Sequence, residues 1–298
     1  MIKQTLFFSN PAFLSLKNRQ LVIDTKSERG TVTRPIEDIG VVVIESHCVT
    51  FTSALLSALL DNNAAILFCD SKHMPSGLLT PLSGNTLMNE RSRDQLAASL
   101  PLKKQLWQQT VSSKIANQGK LLALSSACET GCMSQWAKMV KSGDPDNLEA
   151  RAAIYYWKNL FTDKPGFLRH DEEEVLNSLL DYGYAILRAV MARAIVGAGL
   201  IPNVGLFHSN KYNSYCLADD LMEPYRPYVD RLVVSIHKAH PEIAVLTPEI
   251  KRLLLSIPII DVRIGKVKRP LMIAAGITAA SLTKCFSGEI RKISYPEI

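Results

Sequence analysis

Several carboxylates and one histidine in the second half of the chain have residue types that suit divalent-metal chemistry. Glu149 follows a turn-like segment at the start of a predicted helix, and His208 follows a Gly-Leu-Ile-Pro break. Asp220 and Glu223 are three positions apart on the next predicted helix and therefore share one of its faces, whereas Asp219 points elsewhere. Carboxylate oxygens and an imidazole nitrogen form a ligand set for Mg²⁺ or Mn²⁺. Such a metal can polarise a phosphodiester.

Each of these residues also has a purely structural interpretation. A Glu near a helix N-terminus commonly stabilises the helix dipole, and an acidic helix face is commonly solvated. His208 could be an ordinary surface or core residue, or a general acid or base, because an unperturbed imidazole titrates near neutral pH. Since 59 residues separate Glu149 from His208, spacing alone does not show that they meet.

The predicted strands and helices of the chain divide into two regions. Short β-rich runs dominate up to about residue 80, with a turn predicted at 27–30, and the β-branched run 39–45 is typical of a strand buried on both faces. From about residue 92 the apolar residues recur with the period of a helix. Helices are predicted over 148–161, 173–196, 217–232 and 248–255.

The core stretch of the second of these helices, residues 184–196, is apolar nearly all round, which is typical of a helix at the centre of a bundle. We therefore predict an α+β fold, in which a small β-rich N-terminal domain precedes a larger all-α C-terminal domain. The predicted domains are 1–85 and 86–298, with a linker at about 75–92.

Composition and charge narrow the class of protein. The 298 residues are 47% hydrophobic and 21% charged, which excludes a disordered chain. No apolar run reaches the roughly 18 residues that cross a bilayer, so we expect a cytoplasmic protein without a membrane partner. Residues 1–90 hold seven basic and eight acidic residues, which leaves 27 basic and 20 acidic residues for the remainder. Any phosphate backbone is therefore expected to bind the second region.

Four segments, in this order, resemble the CRISPR adaptation integrase family, the first of the universal Cas proteins (Cas-one). They are NSLLDYGYAIL (177–187), GL (199–200), GLFH (205–208) and LADDLMEPYRP (217–227). LEARAAIYYW (148–157) resembles the first metal-ligand helix of that family, and PIEDIGVVVI (35–44) resembles its β-domain. The last of the four segments and the short N-terminal part are similar to versions from type II systems.

The resemblance implies roles for the acidic residues and the histidine. Carried over by position, Glu149, His208 and Glu223 become the catalytic residues that bind Mg²⁺ or Mn²⁺, and Asp220 supports them. Many relatives have Asp where this chain has Glu223. The implied reaction is transesterification, in which the 3′-OH of a short foreign DNA fragment attacks a phosphodiester at each end of a CRISPR repeat. Nicking of DNA by the same site would make the protein an endonuclease.

The resemblance also implies double-stranded DNA, a fragment with 3′-OH ends and the CRISPR repeat, as the partner. A homodimer is implied too, with a dimer of the second Cas protein (Cas-two) bridging two such homodimers. Lys211 and Arg226 are candidates to hold phosphate beside the metal, and Tyr212 and Tyr215 could stack on a splayed base. The strongest basic cluster consists of Arg263, Lys266, Lys268 and Arg269, which are candidate DNA-binding residues.

Two other functions remain open from the sequence. A degenerate member could serve only as a non-catalytic DNA-binding scaffold of the adaptation complex. Alternatively, the chain could be a metal-dependent phosphodiesterase that acts on a small nucleotide, although it has no glycine-rich phosphate loop.

Overall fold

A β-rich N-terminal region precedes a larger helical region, which confirms the fold class predicted from the sequence. The computed structural model describes residues 3–25, 30–126, 128–164, 166–169, 171 and 174–298. Most of the turn predicted at 27–30 lies outside these residues. No helix in the described part of the chain is long and apolar enough to cross a membrane.

In its described residues, the N-terminal region contains two four-stranded sheets, one α-helix and a short 3₁₀ turn at Ile36–Asp38. Its elements are β1 (Gln4–Phe8), β2 (Ala12–Lys17), β3 (Gln20–Asp24), β4 (Val32–Pro35), β5 (Ile39–Ile44), β6 (Val49–Phe51), α1 (Ser53–Asp61), β7 (Ala65–Cys69) and β8 (Pro75–Leu79). The first sheet has the order β1-β5-β7-β8, and the second has the order β4-β3-β2-β6. Strand β5 pairs in parallel with β1 and β7, which places it inside the first sheet.

Strand β5 is buried on both faces, as its β-branched sequence predicts. On one face, Val42 and Ile44 pack into a core shared with the second sheet and α1. On the other face, Val41 and Val43 join the large core of the helical region. The first sheet is thus a layer between two hydrophobic cores, and it couples the N-terminal region directly to the helices.

The C-terminal region is mainly helical. Its helices are α2 (Met88–Ala97), α3 (Leu100–Ser125), α4 (Gly131–Met139), α5 (Leu148–Leu160), α6 (Val175–Gly197), α7 (Cys216–Met222), α8 (Arg226–Ala239), α9 (Pro248–Leu254) and α10 (Leu271–Phe286). Helix α6 lies at the centre, in contact with α7, α8 and α10. A Cβ atom on Gly183 of α6 would lie 2.6 Å from Val229 Cγ1, so glycine allows α8 to approach closely. The predicted start of this helix, residue 173, lies outside the described residues.

One detail departs from the prediction that this region is entirely helical. Three short strands form an antiparallel sheet of order β10-β9-β11; they are β9 (Asp261–Ile264), β10 (Val267–Pro270) and β11 (Pro296–Glu297). In β9 the buried Val262 and Ile264 alternate with exposed neighbours, which is the period of a strand. Because each strand has at most four residues, the pattern is too short to stand out among long helices.

Contacts cross the predicted boundary at residue 85. The Asn85 side-chain amide donates to the carbonyl oxygen of Gly197 at 2.8 Å, at the end of α6. Lys251 of α9 forms a buried ion pair with Glu45, which follows β5. The Glu45–Lys251 pair holds the end of β5 against α9, and Asn85 is held to the end of α6. The division into domains 1–85 and 86–298 stays a prediction.

Candidate active site

A buried aspartate organises the loop that carries His208. Asp220, on α7, has no exposed surface. One of its carboxylate oxygens accepts from the backbone N–H groups of Leu206 and Phe207, at 2.6 and 3.1 Å. The other accepts from the backbone N–H of His208 at 3.3 Å and lies 2.5 Å from the ring Nδ1 of His208. Because a carboxylate is only an acceptor, Nδ1 carries the hydrogen, and Nε2 is left for another partner.

Glycine is required at the turn before this loop. A Cβ atom on Gly205 would lie 2.8 Å from Asp220 Oδ2 and would collide with the carbonyl oxygen of His208. The loop therefore wraps closely around the Asp220 carboxylate only because residue 205 has no side chain. This is the physical reason for the glycine in the GLFH segment.

The Asp220 contact also changes the protonation of His208. Its hydrogen bond to Asp220 raises the pKa of the imidazole, against the opposing effect of burial. The carboxylates of Glu223 and Glu149 raise it further. All three carboxylates therefore act on one imidazole, although 59 residues separate His208 from Glu149 in sequence.

Glu223 lies at a break between two helices. The sequence predicts one helix over 217–232, but the structure has α7, a short 3₁₀ turn at Glu223–Tyr225, and then α8. Pro224 and Pro227 lack the N–H groups that a continuous helix needs, and the break follows from that. The amide of Asn117, on α3, donates to the Pro224 carbonyl oxygen at 2.8 Å, which holds the turn in place.

Glu149 lies in the first turn of α5, yet it does not cap the helix. The Asp144 carboxylate accepts from the backbone N–H groups of Leu148 and Glu149, both at 3.0 Å. This contact satisfies donors that a helix start leaves free. The Glu149 side chain instead turns towards α3. The structural interpretation of Glu149 as a residue for the helix dipole is therefore incomplete.

Lys114, on α3, lies between Glu149 and Glu223. Its Nζ is 2.7 Å from Glu149 Oε1 and 2.6 Å from Glu223 Oε2. We call these three residues the carboxylate–lysine cluster. Sequence reasoning missed Lys114, because a lysine in a Gln- and Ser-rich helix carries no signal of a site. A single cation shared by both carboxylates shows that their side chains converge.

Charge dominates the pKa values in this cluster. Burial by itself would raise the pKa of Glu223, but Arg226 and Lys114 outweigh burial and lower the pKa to about 2. Burial likewise opposes the charged form of Lys114, and Glu223 and Glu149 outweigh it, so the pKa of Lys114 is raised. Both partners are therefore ionised at neutral pH. The cluster carries two negative charges around one ammonium, with Arg226 as a second cation.

Arg226 belongs to the site rather than to a free surface. Its Nε donates to Glu223 Oε1 at 2.9 Å, and its guanidinium lies 4.5 Å from the ring centroid of Tyr184. The Tyr184 hydroxyl donates to the buried Asp230, as does that of Tyr156 at 2.6 Å. Burial raises the pKa of Asp230 to about 6, although the two hydroxyls counteract this effect. This network fixes the side of Glu223 that faces away from Lys114.

The other predicted DNA-binding residues lie either on the hairpin of β9 and β10 or near His208. The hairpin exposes all four residues of the basic cluster, Arg263, Lys266, Lys268 and Arg269, and Lys268 lies opposite Arg263 in the strand register. Lys211 is exposed on the His208 loop, 4.8 Å from the ring centroid of Tyr212. Tyr212 is 83% exposed, whereas Tyr215 packs against the helical core. Asp219, as predicted, faces elsewhere and pairs with Arg188 at 2.6 Å.

Within the described residues, no three His, Cys, Asp or Glu side chains are arranged as a ready-made metal site. The carboxylates of Glu149 and Glu223 meet at the Lys114 ammonium instead. The donor set nevertheless fits a divalent cation, because two carboxylates already enclose one positive charge. Glu223 Oε2 is also buried without the geometry of a hydrogen bond, even though Lys114 is near.

Comparisons with known proteins agree on one family. The model of the family CRISPR associated protein Cas1 matches residues 6–241. A relative named CRISPR-associated endonuclease Cas1, from Neisseria meningitidis serogroup C (strain 8013), is 40% identical over 258 residues, which is 85% of this chain and 82% of that protein.

Two solved structures share the fold at 18% sequence identity. A casposase bound to integration product gives a TM-score of 0.80 and covers 98% of this chain and 92% of that one. A Cas6-RT-Cas1–Cas2 complex gives 0.76 and covers 97% of this chain and 35% of that one. The family match and the Neisseria relative carry the assignment: the chain belongs to the CRISPR associated protein Cas1 family.

Proposed function

We propose that this chain is a metal-dependent DNA integrase and endonuclease that inserts short foreign DNA fragments into a CRISPR array. The observation that carries the proposal is the carboxylate–lysine cluster beside His208: two carboxylates converge, and an aspartate orients the imidazole. Family membership supports the same function, since the Neisseria relative is named a CRISPR-associated endonuclease.

Mg²⁺ or Mn²⁺ is the proposed cofactor, and Glu149, His208 and Glu223 would hold it. Nε2 of His208 is the proposed metal-binding atom. It fits this role because Nδ1 donates to the Asp220 carboxylate, and such a hydrogen bond from the other ring nitrogen orients a metal-binding imidazole. When bound, the metal supplies charge neutralisation for in-line displacement at phosphorus. Two carboxylates alone would repel a phosphodiester.

The protein groups around the site have distinct tasks in this reaction. Asp220 accepts hydrogen bonds from the His208 imidazole and from the three backbone N–H groups of residues 206–208, so it acts as a positioning residue. Arg226 neutralises Glu223 from the side opposite Lys114 and, like Lys211, is a proposed phosphate contact. The reaction needs mainly positioning and charge stabilisation, which is what these groups provide.

The proposed DNA partner is a double-stranded fragment with 3′-OH ends, together with the CRISPR repeat. The four basic residues of the β9–β10 hairpin are proposed backbone contacts, because exposed basic side chains bind phosphates regardless of sequence. A homodimer, and a Cas2 dimer that bridges two homodimers, are proposed assembly partners. Membership of a type II system is part of the same proposal.

Strand transfer by the Glu149→Gln variant tests the function. We expect purified protein with Cas2 and Mn²⁺ to join a labelled 3′-OH fragment to a repeat, and the variant to lose about 100-fold or more of this rate. Glu249→Gln is a matched control, because Glu249 lies at the second position of α9 and is exposed. The control should retain the rate. Folding and DNA binding of Glu149→Gln should stay close to those of the wild type.

The outcomes separate the alternatives. Retained integration by Glu149→Gln would contradict the proposed site. DNA binding without any divalent-metal dependence of strand transfer would favour the non-catalytic scaffold. Hydrolysis of a small nucleotide that long duplex DNA does not compete with would favour the phosphodiesterase.

A further inference from the structure

Phe207 exposes a large apolar ring beside the candidate active site. It is 54% exposed, while its neighbour Leu206 is buried and His208 is half-buried. Its backbone N–H donates to Asp220 Oδ2 at 3.1 Å, so the same carboxylate that orients His208 also fixes the start of the Phe207 side chain. An exposed aromatic ring at a fixed position next to reactive groups is a feature that the chemistry described so far does not use.

The ring of Phe207 is held by a parallel stack. Its plane makes an angle of 3° with the ring of Trp107, and the two centroids are 4.5 Å apart. Trp107, on α3, is almost completely buried and therefore forms a rigid base for the stack. The imidazole of His208 meets both rings edge-on, at 5.7 Å from Trp107 and 5.8 Å from Phe207.

Only one face of Phe207 can contact Trp107, since the two rings are parallel. With one face against Trp107, the 54% exposure of the residue comes from the opposite face and from the ring edges that His208 does not contact. A ring that is already ordered by packing loses little conformational freedom when a second planar group stacks on it. The geometry therefore favours a flat aromatic ligand over an irregular apolar surface.

We propose that the exposed face of Phe207 is a stacking site for a nucleobase that flanks the reacting phosphodiester. The inference rests on the proposed DNA integrase function. A phosphodiester bound beside His208 brings an adjacent base within reach of a ring 5.8 Å away. Every base has a π-face, so the contact orients the DNA end without reading its sequence. Phe207 is thus a positioning residue for the DNA, and it takes no part in proton transfer.

The competing role for Phe207 is as a cover for Trp107. Substitution to Leu separates the two roles, because Leu keeps an apolar side chain over Trp107 but has no aromatic face. Phe207→Tyr keeps both the cover and the face. Both variants are to be compared with the wild type by thermal melting, so that a folding defect is recognised.

The experiment combines these variants with DNA that lacks single bases. Strand transfer is measured on intact DNA and on a series with one abasic site at each of the three nucleotides on either side of the reacting bond. On intact DNA we expect Phe207→Leu to lose about 5- to 100-fold in kcat/KM, the range that base–aromatic stacking supports. Phe207→Tyr should stay within about 2-fold of the wild type. At one abasic position the wild type and Phe207→Leu should become equal.

A fluorescent base provides a readout that does not depend on turnover. With 2-aminopurine at the position identified by the abasic series, binding to the wild type should change the fluorescence, and binding to Phe207→Leu should not. The proposal is overturned if Phe207→Leu retains the wild-type rate, or if its defect persists at every abasic position. Failure of the wild type to join any DNA would instead contradict the proposed function.

Discussion

Replacement of Lys114 by Met removes the cation that Glu149 and Glu223 share. Methionine keeps the length and apolar character of the lysine stem, so the change acts mainly on charge. The Lys114 side chain is 12% exposed, and its Nζ lies within 2.7 Å of both carboxylates. Removing one partner of a buried ion pair typically costs about 3–5 kcal/mol, because it leaves an uncompensated buried charge.

Two features of the site reduce this cost. Glu149 is partly exposed and is screened by water, and Glu223 keeps its contact with Arg226 at 2.9 Å. We therefore expect Lys114→Met to lose about 2–4 kcal/mol of unfolding free energy in EDTA. For a chain of 298 residues that corresponds to a fall of about 3–6 °C in the melting temperature.

A divalent metal should reverse much of this loss. In the wild type the cation must displace the Lys114 ammonium from the carboxylates, whereas in Lys114→Met the carboxylates have no such competitor. Binding to the folded state alone stabilises it in proportion to the logarithm of the metal concentration over the dissociation constant. Mn²⁺ should therefore raise the melting temperature of the variant more than that of the wild type, and calorimetric titration should give the variant the tighter dissociation constant.

Lys120→Met is the matched control for this experiment. Lys120 lies on the same helix, but its side chain is 42% exposed and its contact with Glu297 is 3.8 Å long. An exposed pair of this kind contributes about 0–1 kcal/mol, so its melting temperature and Mn²⁺ response should match the wild type. The reasoning is wrong if Lys114→Met melts like this control in EDTA, or if its Mn²⁺ response is no larger than that of the wild type.

Three further predictions concern other parts of the molecule. Asp220→Asn should destabilise the metal-free protein by about 2–4 kcal/mol, since an amide cannot accept hydrogen bonds from all the N–H groups that the carboxylate does. Because the contact with Asp220 raises the pKa of His208, the loss of unfolding free energy, measured by denaturation, should be largest below about pH 6.5 and should shrink as the pH rises through the folded-state pKa. Asp230 has a pKa raised to about 6, so between about pH 4 and 6 the folded protein holds a proton that the unfolded chain releases. The unfolding free energy of the wild type should therefore fall by on the order of 2–3 kcal/mol as the pH rises through this range, and denaturation of Asp230→Asn should lack that fall. Lys268→Ala should make the plot of log affinity for duplex DNA against log salt less steep, by about 0.9 in slope. An unchanged slope would show that Lys268 of the hairpin does not contact the DNA backbone.

Much of the fold could be read from local patterns. The all-apolar run of β5 predicts a strand buried on both faces, and the structure places it between two cores. The apolar circumference of α6 likewise predicts its central position, because such a helix has no face suited to water. The strands β9 and β10 were not predicted, since a four-residue alternation is weaker than the helical pattern on either side.

The candidate site was likewise only partly predictable from the sequence. The acidic residues and His208 were identifiable from residue type, and the family resemblance ordered them into a ligand set whose role stays a prediction. The glycine of the GLFH segment became explicable only from the structure, because its reason is the closeness of the Asp220 carboxylate and the His208 carbonyl oxygen. Arg226 was predicted as a phosphate contact, but its pairing with Glu223 was not.

Residue types and patterns along the chain predict which residues are candidates for the chemistry, the kind of elements that hold them and the uneven charge of the two regions. These properties depend on residue type and on short-range periodicity. Which side chains meet became clear only from the packing of the folded chain. Lys114 reaches Glu223 across 109 positions of sequence, and Trp107 stacks on Phe207 across 100. Such contacts depend on how α3 packs against α5 and the turn after α7, and no local pattern encodes that packing.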